Sequence, residues 1–376
     1  MKILHTGDWH VGKTIQGRTR IHEYEAVLAE ITTLARFHSV DLVLVAGDIF
    51  DSASPPAEAE RIAYRALMDL GEIAPVLVVP GNHDNERRFA AVAPLFEATN
   101  VSVQPFITDD GPLEVKTKDG ERAQIAFLPW VSQRYIIRAE QLMKMDAAAA
   151  SGAFAARLRS VIGKLCERFD DDAVRLVIGH VTIASAAAGG GERAAQTLFD
   201  YWIDTTCFPS NVHYVALGHI HKMQRMPGQM PVYYSGSPLQ LDFSDTDDDR
   251  FAILIEATAS TPATVTELKL SQGSRLKTVS GTFEQLRGLA GAHEDALLRV
   301  IVRDKARVGL GDEVRELFPN AVRVIIESPE DPASAKRAQR KADSSPSELF
   351  AQYLSEKNVE DNALLALFKD LYEECV

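Results

Sequence analysis

The chain has 376 residues, more than one hydrophobic core usually serves, so one large domain with smaller appendages is expected. Its 46% hydrophobic and 25% charged content match an ordinary soluble globular protein, and no run of 18 apolar residues offers a membrane span. A net charge of −13 argues against a broad nonspecific grip on nucleic acid, which relies on lysine and arginine neutralising phosphates.

Three cysteines, Cys166, Cys207 and Cys375, are odd in number and far apart, so neither a disulfide frame nor a thiolate metal site is indicated. The N-terminal MKILHTGD enters a strand without a leader pattern, and a cytoplasmic protein is expected.

In chain order, Lys2 to Thr6 reads as a buried strand running into Gly7, Asp8 and His10. Val11 to Arg20 is a polar loop, and Ile21 to Phe37 has helical spacing. Leu42 onward, LVLVAGDIFD, is an apolar run rich in branched residues that stops at Gly47 and places Asp48 and Asp51 three residues apart. Pro55 to Leu70 is a second helix, with proline where a helix start tolerates it. Val76 to Val79 runs into Gly81, Asn82, His83 and Asp84, and Arg87 to Phe96 is a third helix, whose N-terminus offers backbone donors to an anion.

Val101 to Pro105, Leu113 to Lys116 and Gln124 to Pro129 read as strands of a second layer, with Asp119-Gly120 as a hairpin turn. A plain packing helix follows from Ala147 to Arg168. Leu176 to Ile178 runs into Gly179 and His180, and the aperiodic AAAGGG of Ala186 to Gly191 is either a substrate-contacting loop or a simple connection. Tyr214 to Leu217 runs into Gly218, His219 and His221. Pro231 to Ser237, Phe251 to Ile255 and Thr264 to Leu270 complete the strands of a domain spanning 1–274.

From about residue 275 the character changes. Phe283 to Leu289, Leu297 to Val302, the helical Gly311 to Leu317 and the strand Arg323 to Glu327 form a small β-α-β-like module, 275–330. A linker, 331–346, carries Lys336, Arg337, Arg340 and Lys341. Two short amphipathic helices, Leu349 to Leu354 and Leu364 to Tyr372, occupy 347–376.

Five strands thus end in Asp, Asn or His, on what would be one edge of a sheet, where open α/β sheets bind ligands. The donors are nitrogen and oxygen without thiolate, which favours manganese, magnesium or iron over structural zinc. Seven such side chains exceed the needs of one ion. Two divalent ions about 3.5 to 4 Å apart, sharing a carboxylate, would use them all, and that geometry suits displacement at phosphorus.

DWH at 8–10, GD at 47–48, GNHD at 81–84, GH at 179–180 and GHIH at 218–221 resemble the signature of the calcineurin-like metallophosphoesterase superfamily. The resemblance implies an α/β fold: a two-sheet sandwich flanked by helices, here followed by an α+β capping domain and C-terminal helices. It implies that Asp8, His10, Asp48 and His221 hold one metal, and Asp48, Asn82, His180 and His219 the other. The ions are expected to be Mn2+, with Mg2+ as the alternative. His83 would be catalytic, protonating the leaving oxygen or stabilising charge on phosphate. Asp51 either orients His83 or caps its loop. Asp84 and Arg87 are candidates for substrate contact, with helix capping and a solvated face as their respective alternatives.

Within the superfamily, HTGDWHVGKT at 5–14, GDIFD, LPWV at 128–131 and YYSGSPLQLDFSD at 233–245 resemble the nuclease subunits of bacterial SbcC-SbcD break-repair complexes. That resemblance implies a DNA exonuclease and endonuclease acting as a homodimer within a heterotetramer. The C-terminal helices would dock on an SbcC-type coiled-coil ATPase. A phosphodiesterase for small nucleotides is the alternative, though it would not need the C-terminal module, linker and helices. A non-enzymatic scaffold would have lost ligands, and none is lost here.

Overall fold

A computed structural model describes residues 1–96, 98–117, 119–131, 147–189, 202–245, 249–328, 350–351, 353–355, 364–365 and 367–368. The chain divides into two units: 1–192 with 201–277, and 193–200 with 278–376. Among the described residues no helix is long and apolar enough to cross a membrane.

The first unit is a sandwich of two six-stranded sheets. The first sheet contains β1 (Lys2–Thr6), β2 (Leu42–Ala46), β3 (Val76–Val79) and β4 (Val101–Val103), and further along the chain β11 (Arg250–Thr258) and β12 (Thr261–Leu270). Their spatial order is β12-β11-β1-β2-β3-β4. The second sheet contains β5 (Leu113–Lys116), β6 (Arg122–Leu128), β7 (Val174–His180), β8 (Tyr214–Gly218), β9 (Gln224–Arg225) and β10 (Val232–Tyr234), in the order β5-β6-β7-β8-β10-β9.

The apolar runs are continuous because both faces of each sheet are covered, the usual condition of parallel strands. Leu4, Val43, Val45, Val76 and Val78 face α1 (Ile21–His38), α2 (Ala57–Gly71) and α3 (Glu86–Phe96). The alternate residues Ile3, Leu42, Leu44, Leu77 and Val79 meet Val174, Leu176, Ile178 and Ala216 of the opposite sheet. Val177, Val215 and Leu217 pack outward on Phe154, Leu158 and Ile162 of α4 (Ala147–Cys166). Each fully buried aliphatic contributes roughly 1.5 to 3 kcal/mol, so this three-layer core holds the strand ends rigidly.

Two sequence expectations need correction. Val101–Val103 lies parallel to β3 in the first sheet, not in the second layer, because α3 is a crossover that returns the chain beside the strand it left. The five ligand-bearing strands also do not share one sheet. β1, β2 and β3 belong to the first sheet and β7 and β8 to the second, so the loops converge from both layers at one end of the sandwich. Leu113–Lys116 and Arg122–Leu128 form the expected antiparallel hairpin, with Gly120 in the left-handed conformation at its turn.

The second unit carries a three-stranded sheet, β13 (Arg275–Gly281), β14 (Ala296–Val302) and β15 (Ala321–Ile326), with β14 and β15 parallel. Leu298, Val300 and Val302 pack on Leu286 of α5 (Phe283–Arg287) and on Leu310 and Val314 of α6 (Leu310–Leu317). Thr282 starts α5 with a reciprocal cap to Gln285. The expected linker 331–346 lies outside the described residues. Of the two expected C-terminal helices, the described positions are helical, and Phe350 stacks on Phe368 at 4.0 Å between centroids.

Candidate metal centre

Each motif puts a polar side chain at the point where a strand stops. Asp8 and His10 leave β1, Asp48 leaves β2, Asn82 and His83 leave β3, His180 ends β7, and His219 and His221 leave β8. Four of them bend the backbone into the left-handed region that non-glycine residues avoid: Asp8 (φ 49°), His10 (φ 48°), Asp48 (φ 48°) and His219 (φ 106°). Such strain costs of order 1 to 3 kcal/mol per residue and persists where the surroundings over-determine it, as functional sites do.

The surroundings here are main-chain bonds between the motifs. Asp8 N–H donates to Gly47 O and His10 N–H to Asp48 O, both at 2.9 Å. His83 N–H donates to Asp48 Oδ1 and His219 N–H to Asp8 Oδ1, both at 2.8 Å. The loops of the two sheets are therefore tied to each other through the acids themselves. Gly47 (φ 84°) permits the close passage of His180, whose ring sits where a Cβ would be.

Asp48 is the centre. Its Oδ2 lies 3.4 Å from both His10 Nε2 and His180 Nε2. It takes part in two groups of donor atoms that each lie within 4.8 Å of one another: Asp8, Asp48 and His180, and His10, Asp48 and His83. Asn82 Oδ1 faces His219 Nδ1 at 2.8 Å and His180 Nε2 at 3.0 Å, and the His10 and His221 rings meet edge to face at 4.8 Å. All seven expected ligands are thus brought together. His83, expected to be catalytic, falls by distance in one of the two groups.

The donor set fits divalent cations. A carbonyl can only accept, so His180 Nδ1 donates to Ala46 O at 2.9 Å and its Nε2 turns toward two oxygens. Asp8 Oδ2 and His10 Nε2 are fully buried without a hydrogen-bond partner among the described residues. Buried polar atoms rarely go unpaired, and a cation among them would satisfy these.

Electrostatics agree at most of these residues, while burial pushes the Asp8 carboxyl up to about 7 in the cation-free protein. Burial pushes the Asp48 carboxyl up, but His180, His10 and His83 outweigh it and hold it well below the usual carboxylate range. Burial would depress His180, yet Asp48 raises it to about 9. Burial lowers His219 to about 3 and His221 well below the ordinary histidine value, so both stay neutral, the form that binds metal.

The remaining candidates separate. It is the main-chain carbonyl of Asp51 that accepts from His83 Nδ1, at 2.9 Å, while its carboxylate turns to Lys13 Nζ (3.0 Å) and His10 Nδ1 (3.5 Å). The side chain expected on His83 thus sits on the other histidine. Asp84 is buried, and its oxygens accept from the N–H groups of Ile49, Phe50 and Gly81 at 2.9 to 3.1 Å. It clamps the loops after β2 and β3 together. Arg87 lies exposed in the first turn of α3. Lys13 and Trp130, not among the sequence candidates, also lie at the site. For Trp130 a signal existed, because LPW follows a strand as the other motifs do.

Similarity to known proteins follows the same residues. The calcineurin-like phosphoesterase model matches residues 1–223. The chain is similar to the SbcD component of nuclease SbcCD from Bacillus subtilis (strain 168), 29% identical over 336 residues that cover 86% of this chain and 85% of that one. It is similar to the SbcD component of nuclease SbcCD from Rhodobacter capsulatus, 31% identical with coverage of 68% and 66%, and to that of Escherichia coli (strain K12), 29% identical with coverage of 68% and 64%. With the family model spanning well over half its length and the motif residues gathered at one end of a two-sheet sandwich, the chain belongs to the calcineurin-like phosphoesterase family.

Proposed function

We propose that the chain is the nuclease subunit of an SbcC-SbcD-type complex. It cuts DNA as a 3′ to 5′ exonuclease on duplex ends and as an endonuclease on single strands or hairpins. The observation that carries this is Asp48, shared between two clusters of donor atoms at the meeting point of five strand ends. The similarity to the SbcD component of nuclease SbcCD over most of the chain supports DNA as substrate.

Asp8, His10, Asp48 and His221 would hold one cation and Asp48, Asn82, His180 and His219 the other, with Mn2+ matching the mixed nitrogen and oxygen donors. Such ions supply Lewis acidity toward a phosphoryl oxygen and a water acidic enough to be hydroxide near neutral pH. The protein's part is position and proton transfer. His83 donates through Nδ1 to the Asp51 carbonyl, which fixes its ring and leaves Nε2 to carry a proton to the leaving 3′ or 5′ oxygen. The Asp51 carboxylate lies 3.5 Å from His10 Nδ1, while His10 Nε2 lies 3.4 Å from Asp48 Oδ2. The Asp84 clamp keeps the loops of β2 and β3 in register, so His83 and Asp48 move together.

The acidic net charge means that a broad phosphate grip comes from elsewhere, and an ATPase partner docked on the C-terminal helices would supply it. A homodimer within a heterotetramer accords with this division of labour. The test is Mn2+-dependent release of nucleotides from linear duplex and nicking of a hairpin, with and without the ATPase. Hydrolysis confined to cyclic nucleotides or phosphomonoesters would overturn the reading.

A further inference from the structure

A metal-bound histidine is normally steered by a hydrogen bond to its second ring nitrogen, which sets both tautomer and ring orientation. One of the site histidines follows that rule, His180 through Ala46 O. His219 does not. It is buried, its backbone is strained at φ 106°, its Nδ1 faces Asn82, and its Nε2 has no hydrogen-bond partner among the described residues. What lies against the ring is an indole. Trp130 stacks on His219 with centroids 5.2 Å apart and planes 24° from parallel, and meets His180 edge to face at 6.0 Å and 78°.

Trp130 is itself anchored. It follows β6, which pairs with β7 so that Leu128 stands beside Gly179, next to His180. Its main-chain N–H donates to Pro80 O at 3.1 Å, one residue before the Gly81-Asn82 turn. The indole therefore touches two of the histidines, and its backbone holds the loop that presents the asparagine. These three residues, Asn82, His180 and His219, are the ones assigned to a single cation together with Asp48.

We propose that Trp130 is a positioning residue for that cation site alone, its stacked indole replacing the hydrogen bond that would otherwise orient His219. The inference rests on the two-cation reading of the centre. A flat aromatic surface can do this because offset stacking restricts ring tilt while leaving Nδ1 unobstructed. Among the described residues the indole's ring contacts fall on His180 and His219, whereas the His10 and His221 rings meet each other edge to face.

The test is a Mn2+ titration of the full chain, read by loss of the free-ion electron paramagnetic resonance signal, on wild type, Trp130→Ala and Trp130→Phe. Circular dichroism and melting of the cation-free proteins report folding. Wild type is expected to bind two ions. Trp130→Ala should keep one at wild-type affinity and weaken the other by roughly 10- to 100-fold, the usual cost of losing a residue that orients a ligand. Trp130→Phe, which keeps a stacking ring, should recover most of that loss. Two ions at unchanged affinity in Trp130→Ala would overturn the inference and leave the two-cation reading intact, as would equal weakening of both sites. Binding of one ion or none by wild type would instead overturn the two-cation reading itself. Should Trp130→Ala fail to fold, the Phe variant still decides with a Trp130→Leu comparison: equal affinities in the two would refute a stacking role.

Discussion

Gly47→Ala is the perturbation that separates the architecture of the centre from its ligands, since it alters no donor atom. Gly47 has φ 84°, and a Cβ there would overlap Nδ1 of His180 while lying 2.9 Å from its Cγ and 3.0 Å from Gly81 Cα. A left-handed backbone costs an alanine about 1 to 2 kcal/mol. Displacing His180 forfeits its bond to Ala46 O, about 0.5 to 1.5 kcal/mol. A stiffer unfolded chain returns about 0.4 to 1 kcal/mol. The net loss is about 1 to 2.5 kcal/mol, or about 2 to 10 °C in the melting temperature of a unit this large. Because His180 is moved off the position its bond to Ala46 holds, Mn2+ affinity should fall by about 10- to 100-fold.

Gly120→Ala provides the control. Gly120 has the same φ of 84°, but a Cβ there meets nothing within 4 Å, so only the backbone term applies. Melting in EDTA and Mn2+ titration of both variants form the assay. If Gly47→Ala bound Mn2+ as tightly as Gly120→Ala, the packing of His180 against the β2 turn would not be what positions its Nε2, and the reasoning would fail.

Other expectations bear on the chemistry, on protons and on the partner. His83→Gln should keep both cations and lose about 10²- to 10⁴-fold in DNA cleavage rate, whereas Asp48→Asn should lose cation binding; a normal rate in His83→Gln would remove its proton-transfer role. Asp48 holds His180 up to about 9, so near pH 7 the cation-free imidazole is protonated and must lose that proton to become a ligand. Mn2+ uptake at pH 7 should thus release protons, seen as calorimetric heats that vary with the buffer's ionisation enthalpy, and heats independent of buffer would contradict this. In linkage terms, a raised histidine value stabilises the cation-free fold below its unfolded value near 6.5 and loses that contribution as pH rises through about 9, so melting in EDTA should decline across that interval. Removing residues from Ser344 onward should abolish binding to the ATPase subunit and spare Mn2+-dependent phosphodiesterase activity; a retained complex would refute the docking assignment.

Much of the centre is legible in the sequence because its information is local. A branched apolar run of four to seven residues that stops at glycine is a buried strand ending in a turn, and the residues after Thr6, Ala46, Val79, Ile178 and Leu217 are then placed at strand ends whatever the neighbours are. The amphipathic spacing of Ile21 to Phe37 likewise names a helix and its buried face.

Tertiary structure decided everything that depends on which strand lies beside which. That Val101–Val103 returns to β3, that β11 and β12 extend the first sheet beyond β1, and that the ligands come from both sheets are outcomes of packing two layers, to which the period of any one strand is indifferent. The same holds for the division of labour around the ligands. Asp51 offers its carbonyl to one histidine and turns its carboxylate toward another, Asp84 accepts from three backbone N–H groups, and Trp130 lies flat on His219. Side-chain chemistry names what a residue can bond to, but the choice among partners a few ångströms apart belongs to the folded geometry that brings distant loops together.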